Sequence, residues 1–276
     1  YKMLFNGLSS TRVTFPIPGI TEIGIATTTT DAASYQDEYT VEGYFTRLSY
    51  DYDNRYYLSG SYRRDGTSRF FEDSRWGDFF SIGASWRVTQ EAFMQGIDWL
   101  DNLRLKASYG QQGNDRIGTY YAWQSFYALG DWNNAGLSGA VYSSHENRNL
   151  VWESNNNLNV GFDFRMFDRL SAEFDYFIRK SSNLLFNVPL PPSTGVTSIR
   201  KNIGEMENRG IEFRLMYDVI TNNTFRWNID FNITHLTNEI TKMPEETPEI
   251  TTGNRKLMVG RSMYEYFLRQ TSRIDP

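Results

Sequence analysis

The stretch LNVGFDFRMFDRLSAEFDYFI, residues 158–178, decides the fold of this chain. Apolar and polar side chains alternate through both halves, and only residues 167–169 separate the two halves. In the first half, one face carries Leu158, Val160, Phe162, Phe164 and Met166, and the other carries Asn159, Gly161, Asp163 and Arg165. In the second half, the apolar face carries Leu170, Ala172, Phe174, Tyr176 and Ile178. Strict two-residue alternation is typical of β-strands with one apolar face, so this stretch predicts an antiparallel hairpin.

The same alternation recurs along the chain, at residues 44–52, 80–88, 103–109, 211–219 and 225–233. These runs and the two in the hairpin are longer than the strands of roughly 5 to 6 residues found in soluble domains. A tilted strand that crosses the hydrocarbon layer needs about 9 to 11 residues. The pattern therefore predicts an all-β, antiparallel protein whose strands cross a membrane.

The connections between the predicted strands alternate in length. They are short at residues 53–54 and 167–169, and long at 65–77, 110–155 and 181–206. Outer-membrane barrels have short periplasmic turns on one rim and long extracellular loops on the other. The rhythm predicts an antiparallel up-and-down transmembrane β-barrel.

Residues 89–101 fit this rhythm least well. We expect a short helical turn there on the periplasmic side, with Phe93, Met94 and Trp99 as its apolar contacts. Four tryptophans near strand ends, Trp76, Trp86, Trp152 and Trp227, are expected to form an interfacial girdle.

Composition excludes several classes of protein. No stretch approaches the roughly 18 consecutive apolar residues of a membrane-spanning helix. The chain has 0 cysteines, which excludes disulfides and thiolate zinc sites, and its net charge of -5 argues against a nucleic-acid partner.

Sequence motifs for catalysis are absent. His145-Glu146 begins an HExxH-like string, but Asn149 stands where the second histidine belongs. We therefore predict no catalytic residues, no metal site, no cofactor and no enzymatic activity.

The best ligand candidate is a cluster of aromatic residues within the longest connection. Flat aromatic faces suit stacking on sugars or packing on a peptide, and the residues predicted to bind ligand are Tyr120, Tyr121, Trp123 and Trp132. The same rings would also suit packing between loops or contact with a partner protein.

Several strings resemble SusC/RagA-type TonB-dependent receptors. Residues 63–70 (RRDGTSRF), followed by a Trp-Gly pair at 76–77 and ASWRV at 84–88, are similar to the RRDGSSRF...WG...AGWR signature of that family. The remaining matches are WLDNLRLKASYG at 99–110, NLVWE at 149–153, NIGEMENRGIE at 202–212, and VGRS at 259–262 before the terminal IDP at 274–276.

The resemblance implies more than the alternation alone. Residues 1–276 would form part of one transmembrane barrel of about 22 strands, with an N-terminal plug domain and the last strands outside this chain. The implied partners are a SusD-like surface lipoprotein, the TonB-ExbB-ExbD complex acting through the N-terminal region, membrane lipid, and a glycan or peptide ligand.

The implied function is TonB-dependent active import of a nutrient across the bacterial outer membrane, with oligosaccharide favoured and peptide possible. Two alternatives stay open on the sequence: a passive porin, and a soluble glycan-binding β-sandwich module.

Overall fold

The fold is a large antiparallel β-sheet with loops gathered at one end. The computed structural model describes residues 1–13, 18–19, 28–134, 137–245 and 247–268. Its strands are β1 (Lys2–Val13), β2 (Thr28–Tyr52), β3 (Tyr56–Thr67), β4 (Trp76–Arg87), β5 (Leu100–Asn114), β6 (Phe126–Asn134), β7 (Leu137–Ser144), β8 (Glu153–Met166), β9 (Leu170–Pro189), β10 (Ser198–Thr221), β11 (Arg226–Lys242), β12 (Glu249–Thr252) and β13 (Arg255–Met258). Short 3-10 helices occupy Glu72–Ser74, Val88–Gln90, Ala92–Met94 and Pro192–Thr194. Among the described residues, no helix is long and apolar enough to cross a membrane.

Nine strands form one sheet in the order β1-β2-β3-β4-β5-β8-β9-β10-β11. Each strand pairs antiparallel with the next, and the hairpin β6-β7 is inserted between β5 and β8. A second small hairpin, β12-β13, follows β11. This arrangement confirms the predicted all-β, antiparallel up-and-down fold, and it contradicts the β-sandwich alternative, which requires two sheets packed face to face.

The central hairpin forms in the predicted register. Val160 pairs with Tyr176, and Met166 pairs with Leu170 across the turn. Phe167 and Asp168 make the turn in the left-handed region, with φ of 54° and 55°. Two residues with positive φ match the right-handed twist of the strands they join. The ring of Phe167 stacks on Trp99, with ring centroids 6.1 Å apart.

The two faces of the sheet differ in the polarity of their side chains. One row of the apolar face runs through Leu58, Ala84, Ala107, Val160 and Tyr176. The neighbouring row of the opposite face runs through Ser59, Gly83, Ser108, Asn159 and Phe177. Val160 is 47% exposed and Leu58 is 51% exposed, although both lie in the middle of the sheet. Large apolar side chains that face outward from a sheet centre mark the lipid-facing surface of a membrane barrel.

The strands are longer than the alternation predicted. Residues 181–189 and 198–206, which we expected to form a long connection, instead extend β9 and β10, and only residues 190–197 connect them. The expected connection at 110–155 contains β6 and β7, and β1 was not predicted. The extensions of β9 and β10 and the strands β6 and β7 lack strict alternation, because strand segments beyond the membrane have no lipid-facing side that must be apolar.

The buried residues lie mainly at the loop end of the sheet. Phe70 and Leu150 are fully buried and Ile117 is 6% exposed, with Trp152 and Leu185 packed against them. Trp152 therefore belongs to this cluster, and its expected place in the interfacial girdle was wrong. At the opposite rim, the predicted helical turn is present as two short 3-10 helices, but Phe93 is 67% exposed and makes no buried apolar contact.

Candidate ligand site at the loop rim

Three connections meet at the loop end of the sheet: residues 68–75, 115–152 and 190–197. The bases of the first two connections are fastened by the cluster of Phe70, Ile117 and Leu150. The indole of Trp152 adds a hydrogen bond of 3.0 Å to the main-chain oxygen of Arg75. Apolar burial and this bond attach the loops to the strand ends, so their bases have defined positions.

A polar node lies beside this cluster, at the ends of β3 and β5 and beside the middle of β2. The carboxylate of Asp115 accepts hydrogen bonds of 2.8 Å from the hydroxyls of Tyr39 and Thr67. Arg69 donates to the main-chain oxygen of Asp115 at 3.2 Å and pairs with its carboxylate at 3.4 Å. Burial, together with the hydrogen bond and charge of Asp115, raises the pKa of Tyr39 to about 12. At neutral pH, Tyr39 is therefore a protonated donor that the carboxylate holds in place.

Tyr120, one of the predicted ligand residues, packs against this node. The guanidinium of Arg69 lies 4.4 Å from the ring centroid of Tyr39 and 5.0 Å from that of Tyr120. The ring of Tyr120 also packs against Tyr39, with centroids 5.7 Å apart, and stacks on Phe5 at 5.5 Å. The ring is half-buried, which leaves part of it free for a ligand.

The structure brings Tyr120 and Tyr121 together, with ring centroids 6.4 Å apart. The oxygen of Tyr121 accepts a hydrogen bond of 2.7 Å from the main-chain N–H of Glu38. Trp123 packs separately against Phe71 at 5.5 Å. Trp132 lies in β6, and its side chain is outside the described part of the structure. Ligand binding by these four residues stays a prediction, and the contacts of the first three also fit the alternative of loop packing.

A pocket of about 530 Å³ opens on the polar face directly below the node. Its polar lining includes Tyr39, Asp115, Gln112 and the ion pair of Arg63 with Asp65, and Trp152 forms part of its apolar wall. None of these residues was among the four predicted to bind ligand. Arg63 and Asp65 of the pocket, and Thr67 and Arg69 of the node, all lie in the string at 63–70 that resembles SusC/RagA-type receptors.

Ion pairs continue down the polar face towards the short turns. Arg104 lies 3.1 Å from Asp163, Lys106 lies 2.8 Å from Asp175, and Arg214 lies 2.6 Å from Asp230. These side chains are partly exposed, as expected for a wall that faces water.

Among the described residues, no cluster of three or more His, Cys, Asp or Glu side chains could hold a metal ion. The ring of His145 instead hydrogen-bonds the hydroxyl of Tyr142 at 3.1 Å.

The family model described as "TonB dependent receptor-like, beta-barrel" matches residues 5–267. The chain belongs to this family. The resemblance to SusC/RagA-type receptors is confirmed, and so is the outer membrane as the location of this receptor barrel. The family consists of receptors and transporters rather than enzymes.

Named relatives agree with this assignment. The receptor barrel is 35% identical over 251 residues to TonB-dependent receptor P39 of Formosa agariphila, covering 90% of this chain and 24% of that protein. It is 33% identical over 220 residues to TonB-dependent receptor SusC of Bacteroides thetaiotaomicron, covering 77% of this chain and 22% of SusC. The chain thus spans about a quarter of the length of these relatives.

Solved structures show the same fold. The receptor barrel superposes on the RagAB peptide transporter with a TM-score of 0.84 at 26% identity, over 94% of this chain and 29% of that one. The "open-open" state of the RagAB peptide importer gives a TM-score of 0.76 at 29% identity, over 88% of this chain and 26% of that one.

Proposed function

We propose that this receptor barrel forms part of the wall and mouth of a TonB-dependent importer that takes up an organic nutrient. The observation that carries the proposal is the position of the loop-rim aromatic residues directly above a polar, ion-paired wall, on a sheet whose other face is apolar. A nutrient bound at the mouth would meet a water-compatible surface along its path through the membrane.

We favour an oligosaccharide as the substrate. Tyr120, Tyr121, Trp123 and Trp132 are the aromatic residues predicted to bind it, and the pocket lined by Tyr39 and Asp115 offers carboxylate, guanidinium and amide groups that suit sugar hydroxyls. A peptide is the second candidate, because a similar structure is that of a peptide transporter. Peptide capture by strand addition requires a free sheet edge. In the nine-stranded sheet, every strand between β1 and β11 is paired on both sides, so only the outer sides of β1 and β11 are unpaired in the described sheet.

The partners in this proposal are a SusD-like surface lipoprotein at the loop rim and the TonB-ExbB-ExbD complex acting on an N-terminal region. An N-terminal plug and further strands would complete the barrel. The resemblance to SusC/RagA-type receptors supports all of these assignments.

The test uses the full-length receptor in its own bacterium. Growth is measured on defined oligosaccharides or short peptides as the sole carbon source, in the wild type, a receptor deletion and a strain depleted of TonB. We expect growth on at least one oligosaccharide to require both receptor and TonB. Growth that needs the receptor but not TonB would instead indicate a passive porin, and dependence confined to peptides would overturn the oligosaccharide assignment.

The aromatic site is tested in the same strains with Tyr120→Ala combined with Tyr121→Ala. We expect uptake of the growth-supporting substrate to fall at least tenfold, because stacking surface is lost. The matched control is Phe93→Ala, which removes an exposed aromatic ring on the opposite rim and should leave uptake unchanged. Equal uptake by the wild type and the tyrosine variant would remove these residues from the site.

A further inference from the structure

The strongest unassigned feature is the node at the loop rim, which comprises Tyr39, Thr67, Arg69 and Asp115. Tyr39 lies within β2, Thr67 ends β3 and Arg69 follows it, and Asp115 directly follows β5. Thr67 is only 1% exposed, and the side chains of Arg69 and Asp115 are 15% and 17% exposed. The node is therefore a largely buried connection between the wall and the loop that follows β5.

Tyr39 and Arg69 each contact both Asp115 and Tyr120, and Arg69 does so through its guanidinium. Its guanidinium pairs with Asp115 and lies over the rings of Tyr39 and Tyr120, at 4.4 and 5.0 Å. A planar guanidinium can stack on a ring face while it donates hydrogen bonds in its own plane, which an ammonium cannot do. The geometry therefore requires arginine rather than positive charge alone.

Residues 115–121 are fastened to β2 at three successive points. Asp115 accepts the hydroxyl hydrogen of Tyr39, Arg69 joins Tyr120 to Tyr39, and the oxygen of Tyr121 accepts the N–H of Glu38. Arg69 contributes directly to the first two points. Without it, Asp115 loses its countercharge, and Tyr120 loses the guanidinium but keeps its contacts with Phe5, Tyr39 and Tyr121.

We propose that Arg69 is a positioning residue that holds residues 115–121 against β2 and so sets the orientation of Tyr120 and Tyr121 at the mouth of the barrel. The proposal deepens the proposed function, on which it rests for the ligand role of the two tyrosines. The position of the loop itself is measurable without any ligand, so failure of the import hypothesis and failure of this inference are distinguishable.

Arg64 provides a matched control within the same string. Its guanidinium lies 5.5 Å from the ring centroid of Trp76, and it pairs with Asp78 at 3.7 Å. Arg64 thus has the same combination of aromatic ring and carboxylate as Arg69, but it lies on the apolar face and contacts none of residues 115–121.

The first experiment measures amide hydrogen exchange of the full-length receptor in detergent micelles. The variants are Arg69→Gln, Arg69→Lys, Asp115→Asn, the double variant Arg69→Gln/Asp115→Asn, and the control Arg64→Lys. The amides of Arg116 and Gln124 are hydrogen-bonded and so report loop order. We expect Arg69→Gln to speed exchange across residues 116–124 at least tenfold, while exchange within β3 and β4 stays unchanged. Arg69→Lys should keep more of the protection at Arg116 than at Gln124.

Two patterns would overturn the proposal: no change in residues 116–124 for any Arg69 variant, or an equal change in β3 and β4, which would indicate general destabilisation. The double variant should exchange no faster than about twice the rate of the faster single variant, because both changes break the same connection. If the factors by which the two single substitutions speed exchange multiply in the double variant, Arg69 and Asp115 act independently. That result would contradict a shared node.

A spectroscopic readout separates positioning from general stability. A single 3-fluorotyrosine at position 120 reports the charge above its ring through its fluorine resonance. We expect Arg69→Lys and Arg69→Gln to shift this resonance, and Arg64→Lys to leave it in place. An unmoved resonance in all three variants would show that Arg69 does not hold Tyr120 in this orientation.

Discussion

At the scale of single residues, glycines on the polar face make room for charged partners. Asp175 on β9 lies over the backbone of Gly161 on β8 and reaches Lys106 on β5 at 2.8 Å. A side chain at position 161 would overlap both the main-chain oxygen of Phe174 and the carboxylate of Asp175. The ion pair across three strands therefore depends on the absence of a side chain between its partners.

We predict that Gly161→Ala lowers the free energy of unfolding of the full-length receptor by about 1 to 3 kcal/mol, the usual range for overpacking. The overlap includes main-chain atoms, which cannot rotate away. Gly60→Ala is the matched control, since the nearest atom would lie 3.9 Å away, in ordinary contact. Urea unfolding in lipid vesicles measures both variants. Equal stability of the two would contradict this account of Gly161.

Tyr39 gives a prediction about pH. Because the pKa of this phenol is raised from 10.0 to about 12, folding favours its protonated form. The stabilisation is fully present below pH 10 and is lost as the pH rises through about 12. Tyrosinate ultraviolet absorbance should therefore show a late-titrating phenol that Tyr39→Phe removes.

Asp115→Asn is the companion variant for this titration. It removes the charge that opposes ionisation of Tyr39, so the late phenol should titrate at lower pH. A late step that survives Tyr39→Phe would assign the raised pKa to another tyrosine.

At the scale of elements, β8 shows how one strand serves two environments. Val160 belongs to the apolar row between Ala107 and Tyr176, while Asn159 belongs to the polar row between Ser108 and Phe177. Adjacent residues of a strand point to opposite faces, so one residue faces lipid and the next residue in the sequence faces the aqueous lumen.

We predict that Val160→Arg impairs assembly, and that Asn159→Arg does not. An arginine on the lipid face near the bilayer midplane costs about 2 to 4 kcal/mol, whereas a water-facing wall accepts charge. The fraction of folded barrel in outer-membrane preparations, read from heat-modifiable gel migration, measures the difference. Similar folded fractions for the two variants would contradict the assignment of the faces.

At the scale of the whole molecule, the two rims differ in the length of their connections. The loop rim carries residues 115–152 with the inserted hairpin β6-β7, whereas two-residue turns with positive φ at 53–54 and 167–168 mark the other rim. In outer-membrane barrels, the rim with long loops is extracellular. This asymmetry places the aromatic residues and the node on the outside of the cell.

We predict that Ser193→Cys reacts with a membrane-impermeant maleimide on intact cells, and that Asp168→Cys reacts only after the outer membrane is permeabilised. The chain has 0 cysteines, so each substitution provides the single reactive thiol of this segment. Labelling in a strain without the receptor gives the background. Reaction of Asp168→Cys on intact cells would reverse the orientation.

The sequence alone determined the strands that cross the membrane, the short turns and the family. Lipid on one side and water on the other force alternation, which is visible at residues 158–178 without any structure. The arginine, lysine and aspartate side chains of the polar wall were also visible as a charged face, although their individual partners were not.

Only the tertiary structure decided what lies beyond the membrane. No alternation of apolar and polar residues marks the extensions of β9 and β10, the inserted hairpin, or the node of Arg69 with Asp115. Both sides of these segments face water or other loops. Arg69 and Asp115 are 46 residues apart in sequence, and only the pairing of β3, β4 and β5 brings them together. The alternation of apolar and polar residues reflects the environment that each face of a strand meets, whereas contacts between distant segments depend on how the strands pair.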